Sequence, residues 1–234
     1  NAAGVPARRI VLWDGASWGA IGEDGAGLDG SVSAAVQDGV DLVVGGGFRD
    51  AGGVKYLARW DGSTWGGFGS DVTAAVNSLG HYNGELVAGN GVPGDVAVWD
   101  GSVWTALGSG FNGTVQVLAT YNGLLIAAGS FGIAGGASAN NIASWDGTSW
   151  AALGPGLTGG ALASEVHALG VYGGELYAGG EFTQAGSVPA NRIARWDGTR
   201  WRPVGTGLDN AVSGLCAYQG VLVVGGAFDY AGPI

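Results

Sequence analysis

The sequence is short of charge, sulfur and long apolar runs. Only 12% of its 234 residues are charged, against roughly 25% in an average soluble protein. Lys55 is the single lysine, and the net charge is −10. No basic stripe exists to neutralise phosphates, so nucleic acid is excluded as a partner, and anionic lipid surfaces are disfavoured for the same reason. Cys216 stands alone and methionine is absent, which rules out an internal disulfide or a cysteine zinc cluster. Free cysteine is among the most buried residue types, so Cys216 is expected inside. Apolar stretches such as VLVV are cut short by glycine, far below the ~18 residues of a membrane helix, and no membrane insertion is expected. The opening NAAGVPARRI has no apolar signal core, so a targeting peptide is expected to be absent or removed.

Catalytic patterns are missing too. Two histidines and no helical periodicity leave no HExxH and no multi-histidine metal site. No G-x-x-x-x-G-K-[ST] loop appears, and a G-x-S-x-G serine needs a strand-to-helix elbow. Cys216 lies in an apolar strand, without the electropositive surroundings a reactive thiolate needs. EDGAGLDG (residues 23–30) holds carboxylates, but their spacing does not fit a calcium loop. No catalytic residue, metal or cofactor is assigned.

Tryptophan and glycine fill the space. All ten tryptophans fall in five copies of W-D-G-x-x-W. The pairs are Trp13/Trp18, Trp60/Trp65, Trp99/Trp104, Trp145/Trp150 and Trp196/Trp201, each with its aspartate: Asp14, Asp61, Asp100, Asp146 and Asp197. A second block runs in phase, as in VQVLATYNGLLIAAGSF from Val115 and VHALGVYGGELYAGGEF from Val166. Each copy reads as two strands about a tight Asn-Gly-like turn, whose positive φ angles suit a hairpin. The tryptophan block reads as two more strands, joined at Asp-Gly.

Four strands, a to d, in ~46 residues mark a β-propeller blade. The expected fold is all-β: a five-bladed β-propeller with four antiparallel strands per blade, one domain over 1–234. Four blades fall at about 31–69, 75–108, 114–154 and 165–205. Residues 8–22 supply strands c and d and 211–230 supply a and b, so one blade shared between the termini would close the ring and hide its edges.

The Y-x-G-x-L-Y-x-G-G-x-F block followed by WDG-x-x-W resembles a kelch-type propeller repeat. It is most similar to WDG-bearing repeats of bacterial secreted or surface proteins and of the fungal cortical cell-polarity marker family. That resemblance implies an extracellular or cell-surface interaction module and brings no catalytic residue. The second copy departs from it, with Asn90-Gly91-Val92 where others end in Gly-x-Phe. Kelch-type propellers also usually have six or seven blades.

Strand alternation puts the tight a–b and c–d turns on one face and the long b–c and d–a loops on the other. Binding surfaces concentrate on loops held by a rigid scaffold, so the long-loop face is the candidate surface. The b–c loop from Val92 to Trp99 is clipped, which would leave a notch. Ser33, Asn77, Gln116, His167 and Ser213 follow the opening valine of each strand a. With strand a innermost, they form a polar ring at the channel mouth, suited to a small polar ligand or to ordered water. His81 is expected to be a satisfied or half-exposed side chain. The repeated aspartates are expected to shape turns by occupying positive-φ positions and bonding local N–H groups, and the tryptophans to pack between blades.

The leading functional expectation is a non-enzymatic binding or structural module, acidic and extracellular, with a protein or glycan partner. A lectin is the second reading; its platform would have to come from Tyr56, Tyr230 or Phe111. A hydrolase or lyase at the channel mouth is the third. The fourth is an engineered or excised scaffold with no ligand of its own, suggested by the absent methionine and a redundant AG segment at the two ends.

Overall fold

The computed structural model describes residues 8–22, 27–92, 94–160 and 165–232. All named regular structure is β-strand. The chain divides into two compact units, Asn1–Ala106 and Leu107–Ile234.

In the first unit, β1 (Val11–Trp13) and β2 (Trp18–Ala20) form a hairpin. Next come β3 (Val32–Asp38), β4 (Asp41–Gly46), β5 (Leu57–Trp60) and β6 (Trp65–Gly67), then β7 (Ser78–Tyr82), β8 (Glu85–Gly89), β9 (Val96–Trp99) and β10 (Trp104–Ala106). Each set of four is one antiparallel meander in chain order. The second unit opens with β11 (Thr114–Tyr121), β12 (Leu124–Ser130), the short ribbon β13 (Ile133–Ala134) and β14 (Ala137–Ser138), β15 (Ile142–Trp145) and β16 (Trp150–Ala152). It continues with β17 (Leu157–Thr158), β18 (Val166–Tyr172), β19 (Glu175–Gly180), the ribbon β20 (Gln184–Ala185) and β21 (Val188–Pro189), β22 (Ile193–Trp196) and β23 (Trp201–Pro203). The hairpin β24 (Val212–Tyr218) and β25 (Val221–Gly226) ends it. Here the blades are β11-β12-β15-β16 and β18-β19-β22-β23. Four complete blades, one c–d hairpin and one a–b hairpin give the strand count of a five-bladed β-propeller.

The a–b turns follow from sequence. Asn122 and Gly123 sit at φ 48° and 78° between the paired Tyr121 and Leu124. Both central residues are left-handed, as a type I′ turn requires. Strand b of the four complete blades is largely buried on both faces; β12 shows it, with Leu125 to Ala128 at most 1% exposed, whereas β25 is largely exposed. Its small residues let the next blade approach: a side chain at Gly179 would collide with Val212. Strand a of one blade packs beside strand a of the next, β3 by β7 in the first unit and β11 by β18 by β24 in the second.

The c–d turns differ from expectation. Trp145 pairs with Trp150, so four residues make the loop, and only the glycine is left-handed, Gly147 at φ 103°. Asp146 works through its side chain, with Oδ1 accepting the N–H groups of Thr148 and Ser149, both at 2.8 Å. These bonds, with the Thr148 hydroxyl, lower its pKa from 3.8 to about 2. Asp14, Asp61, Asp100 and Asp197 accept the same pair of N–H groups, and all are more acidic than usual, the first three chiefly because of those bonds and Asp197 chiefly because of the Thr199 hydroxyl and the Arg202 guanidinium.

Each tryptophan pair is tilted, with ring centroids 5.0–5.5 Å apart. Trp104, Trp145, Trp150, Trp196 and Trp201 are buried, whereas Trp60, Trp65 and Trp99 are half-buried. In the second unit the later indole also ties blades together. Trp150 Nε1 donates to the Leu107 carbonyl at 2.6 Å, and Trp201 Nε1 to that of Leu153 at 2.9 Å.

Two expectations about burial are corrected. Trp13 and Trp18 are 53% and 42% exposed, and Cys216 is exposed rather than inside. Both sites lie on two-stranded hairpins, β1–β2 and β24–β25. A two-stranded sheet has no further strand of its own to cover these side chains.

A second tie between blades replaces one chemistry by another. At the end of strand a, the Tyr121 hydroxyl donates to the Gly174 carbonyl of the next blade at 3.2 Å, and Tyr172 does the same to Gly220 at 2.8 Å. The first blade has Asp38 at that place, and its carboxylate meets His81 Nε2 of the next blade at 3.0 Å. His81 is thus a partly exposed, paired structural residue, as its irregular position in the repeat implied.

Candidate functional site

The antiparallel order of each blade places the b–c and d–a loops at the end opposite the tight turns. Strand a reaches that end through a β-bulge. The register slips between Val32 and Ala34, Val115 and Val117, Val166 and Ala168, and Val212 and Gly214. The extra residue is therefore Ser33, Gln116, His167 or Ser213. Asn77 precedes β7 and donates its N–H to the Gly89 carbonyl at 3.0 Å. A bulge inserts a residue and re-aims its side chain, so the polar position picked out in sequence is also a point of irregular backbone. Gln116, His167 and Ser213 lie on the neighbouring strands β11, β18 and β24 of the second unit. Ser33 and Asn77 belong to the first. Asn77, Gln116 and His167 are half-buried, and Ser33 and Ser213 are exposed.

His167 has the most chemistry around it. Its Nε2 lies 3.9 Å from Glu165 Oε2 and 3.8 Å from Glu181 Oε1. Glu165 and Glu181 flank the bulge: the Glu181 N–H donates to the Glu165 carbonyl at 2.8 Å, and the Arg192 guanidinium donates to the Glu181 carbonyl. Corresponding positions in the other blades carry Ser31, Ala75, Thr114 and Ala211, and Gly47, Gly91, Ser130 and Ala227. This imidazole between two carboxylates is peculiar to one blade, and it suits a cationic or hydrogen-bonding group. Among the described residues no set of three or more His, Cys, Asp or Glu is arranged to hold a metal ion.

The loops above the bulges are more ordered than sequence suggested. β13–β14 and β20–β21 fold the b–c segments GIAGGAS and TQAGSVP into ribbons. A d–a side chain caps the b–c loop of its own blade. Asn112 Oδ1 accepts from Gly132 and Ile133 N–H, both at 2.8 Å, and Asp209 Oδ1 from Asp229 and Tyr230 N–H, both at 3.0 Å. Asp29 takes Arg49 and Asp50 N–H at 2.6 and 3.0 Å, and the bond from Arg49 makes its carboxyl more acidic than usual. Within EDGAGLDG, Asp29 is therefore a loop clasp; Glu23 and Asp24 lie outside the described residues. The recurring G-[L/F]-[D/N] before strand a carried this signal and was overlooked.

The clipped loop after Val92 closes on itself. Asn90 N–H donates to the Asp95 carbonyl at 2.6 Å, and the Asn90 amide donates to the Ala75 carbonyl at 2.9 Å. Of the aromatic residues considered for sugar stacking, Tyr56 is half-buried. Phe111 packs on Phe131 and Trp150, with centroids 4.8 and 5.0 Å apart. Tyr230 is exposed.

No family model and no curated protein matches the sequence. Solved structures do. The extracellular domain of the putative one-component system BT4673 from B. thetaiotaomicron aligns at TM-score 0.54 and 11% identity, over 84% of this chain and 24% of that one. The WD40 β-propeller domain of Doa1 aligns at TM-score 0.52 and 16% identity, over 85% and 62%. A chain of the mitotic checkpoint complex aligns at TM-score 0.53 and 16% identity, over 83% and 58%. This chain spans less than two thirds of the length of each. At such identities the likeness bears on fold, and the fold it shows is the β-propeller repeat.

Proposed function

We propose that this chain is a non-enzymatic recognition module of the kelch-like, WDG-bearing kind. It presents its long-loop face to a protein partner at the cell surface or outside the cell. The observation carrying this reading is a division of labour within the repeat. The tryptophans and aspartates recur unchanged; the aspartates are occupied by turns and the tryptophans, apart from the exposed Trp13 and Trp18, by packing. The bulge residue at the loop-face end varies, as Ser33, Gln116, His167 and Ser213. Structure needs the constant set, while discrimination between partners needs the variable one. Glu165 and Glu181 beside His167 favour a basic side chain on the partner. Neighbours described as an extracellular domain and as part of a checkpoint complex are consistent with it.

Hydrogen exchange of the chain with binders selected from a peptide display library tests the reading. Expected is protection of b–c and d–a segments, enriched basic residues in the binders, and weaker binding after His167→Ala. Protection confined to the tight-turn segments would refute it. So would specific turnover lost on changing His167 or Glu165. A glycan array with strong hits would replace the protein partner by a sugar.

A further inference from the structure

One blade of the second unit carries ionisable side chains where every other copy is neutral. The positions of Glu165, His167 and Glu181 hold only serine, threonine, alanine, glycine, asparagine or glutamine in the other four copies. The bulge does not require them, since β3, β11 and β24 form it without them. The backbone beneath them is fixed: the Glu181 N–H donates to the Glu165 carbonyl at 2.8 Å, and the Gly180 N–H to the Arg192 carbonyl at 2.9 Å. His167 Nε2 lies 3.9 Å from the Glu165 carboxylate and 3.8 Å from that of Glu181, and all three side chains are partly exposed. Both separations exceed the length of a hydrogen bond, about 2.7–3.2 Å, yet both are within range of strong Coulomb coupling. The carboxylates therefore sense the charge on the ring without being bonded to it.

The charge balance of the site turns on that ring. Glu165 and Glu181 bring two negative charges, and the Arg192 guanidinium, which donates to the Glu181 carbonyl, brings one positive. β18 packs against β11, β12, β19 and β24. At the bulge β11 and β24 contribute Gln116 and Ser213, and β12 ends in Ser130; none of these is ionisable. The ionisable residues elsewhere on these strands are Tyr121, Tyr172, Glu175, Tyr177, Cys216 and Tyr218, each at least three residues further along, and Glu175 is held by Arg195 at 2.7 Å. With a neutral ring the site keeps one net negative charge. With a protonated ring it keeps none.

We propose that recognition of a basic side chain at this site, which rests on the reading given above, is gated by a proton on His167. The neutral imidazole leaves Glu165 and Glu181 to a guanidinium or ammonium group of the partner. The protonated imidazole takes up their charge itself and releases that group. Imidazoles as a class change charge between about pH 8 and pH 5, so the contact holds at neutral pH and opens on mild acidification. A unit charge about 4–6 Å away moves a titration by about 1–3 pH units. By reciprocity the same coupling is worth about 10- to 1000-fold in affinity.

Amide NMR of the full chain tests the proposal, with N-acetylarginine amide as the probe and N-acetylcitrulline amide as its uncharged analogue. Shifts at Glu165 and Glu181 read the affinity at each pH from 8 to 5.5. Expected is binding of the arginine probe at pH 8, weakened by Glu181→Gln, with a loss of at least about tenfold by pH 5.5. His81→Gln should keep that fall, and His167→Gln should abolish it whatever the affinity of the variant. The imidazole signal of His167, one of two histidines in the chain, should titrate at lower pH with the probe bound. An affinity constant within about twofold across the range, or one that falls equally in His167→Gln, overturns the gate and leaves the cation site standing. An arginine probe that does not bind at pH 8, or binds no better than citrulline, refutes the cation site and the gate with it.

Discussion

Replacing tryptophan by phenylalanine at one repeat position in two blades should give unequal costs. Trp201 is 3% exposed, and its Nε1 donates to the Leu153 carbonyl at 2.9 Å. Trp104 is 5% exposed, but its Nε1 has no hydrogen-bond partner. Phenylalanine is smaller than tryptophan, so both variants lose packing, and that loss largely cancels between them. Trp201→Phe also removes a hydrogen bond worth about 1 kcal/mol and strips a donor from a buried carbonyl, at about 1–3 kcal/mol. Trp104→Phe instead removes a donor already buried without a partner and recovers a desolvation cost of about 1–3 kcal/mol. Trp201→Phe should therefore be the more destabilising by at least about 2 kcal/mol. Urea unfolding followed by circular dichroism reads this as a larger drop in midpoint at unchanged slope. Equal drops, or a larger one for Trp104→Phe, would refute the claim that the indole N–H ties blades together.

Asp146 has its pKa lowered to about 2 from 3.8, so its contribution is complete above the unfolded value and is lost as pH falls through the folded one. Asp146→Asn should flatten the acid-side fall in stability between those values, as measured by melts across pH. Removing the hydroxyl with Tyr172→Phe should cost about 0.5–1.5 kcal/mol, with Tyr121→Phe, whose bond is longer at 3.2 Å, costing less in the same unfolding assay. Asp38→Ala with His81→Ala in a double-mutant cycle should give a coupling of about 0.2–1 kcal/mol that fades with salt. Asn112→Ala should cost about 1–2 kcal/mol by freeing two N–H groups, with faster hydrogen exchange at Gly132 and Ile133.

The candidate site was only partly legible. The variable position after each strand-a valine could be read from the repeat, because a polar residue in an apolar run stands out. That it is a bulge could not, since the slip depends on how Gly129 or Gly180 of the partner strand is paired. Glu165, two residues before His167, could be read beside it, but Glu181 was invisible as a neighbour because the β18–β19 hairpin brings it there. The loop clasp at Asp29, Asn112 and Asp209 was written in the repeat, but an aspartate beside glycine looks like an ordinary turn until its acceptor role some 20 residues away is known.

The sequence by itself determined the all-β class, the four-strand repeat and its hairpins. Those rest on local chemistry: alternating apolar runs, Asn-Gly turns, and an aspartate whose N–H partners lie two and three residues away. Only the tertiary structure decided what each copy does in its own surroundings. Five nearly identical WDGxxW hairpins comprise two buried pairs, one half-buried pair, one pair with a buried and a half-buried ring, and one exposed pair, Trp13 and Trp18. Burial is a property of what packs on a hairpin, and no hairpin encodes its own neighbour. Non-glycine residues at the start of strand c, from Arg9 and Tyr56 to Asp95, Asn141 and Arg192, are left-handed. In that conformation the carbonyls of Tyr56, Asn141 and Arg192 each meet an N–H of strand b. Side-chain preference opposes that conformation for arginine and tyrosine; the sheet imposes it.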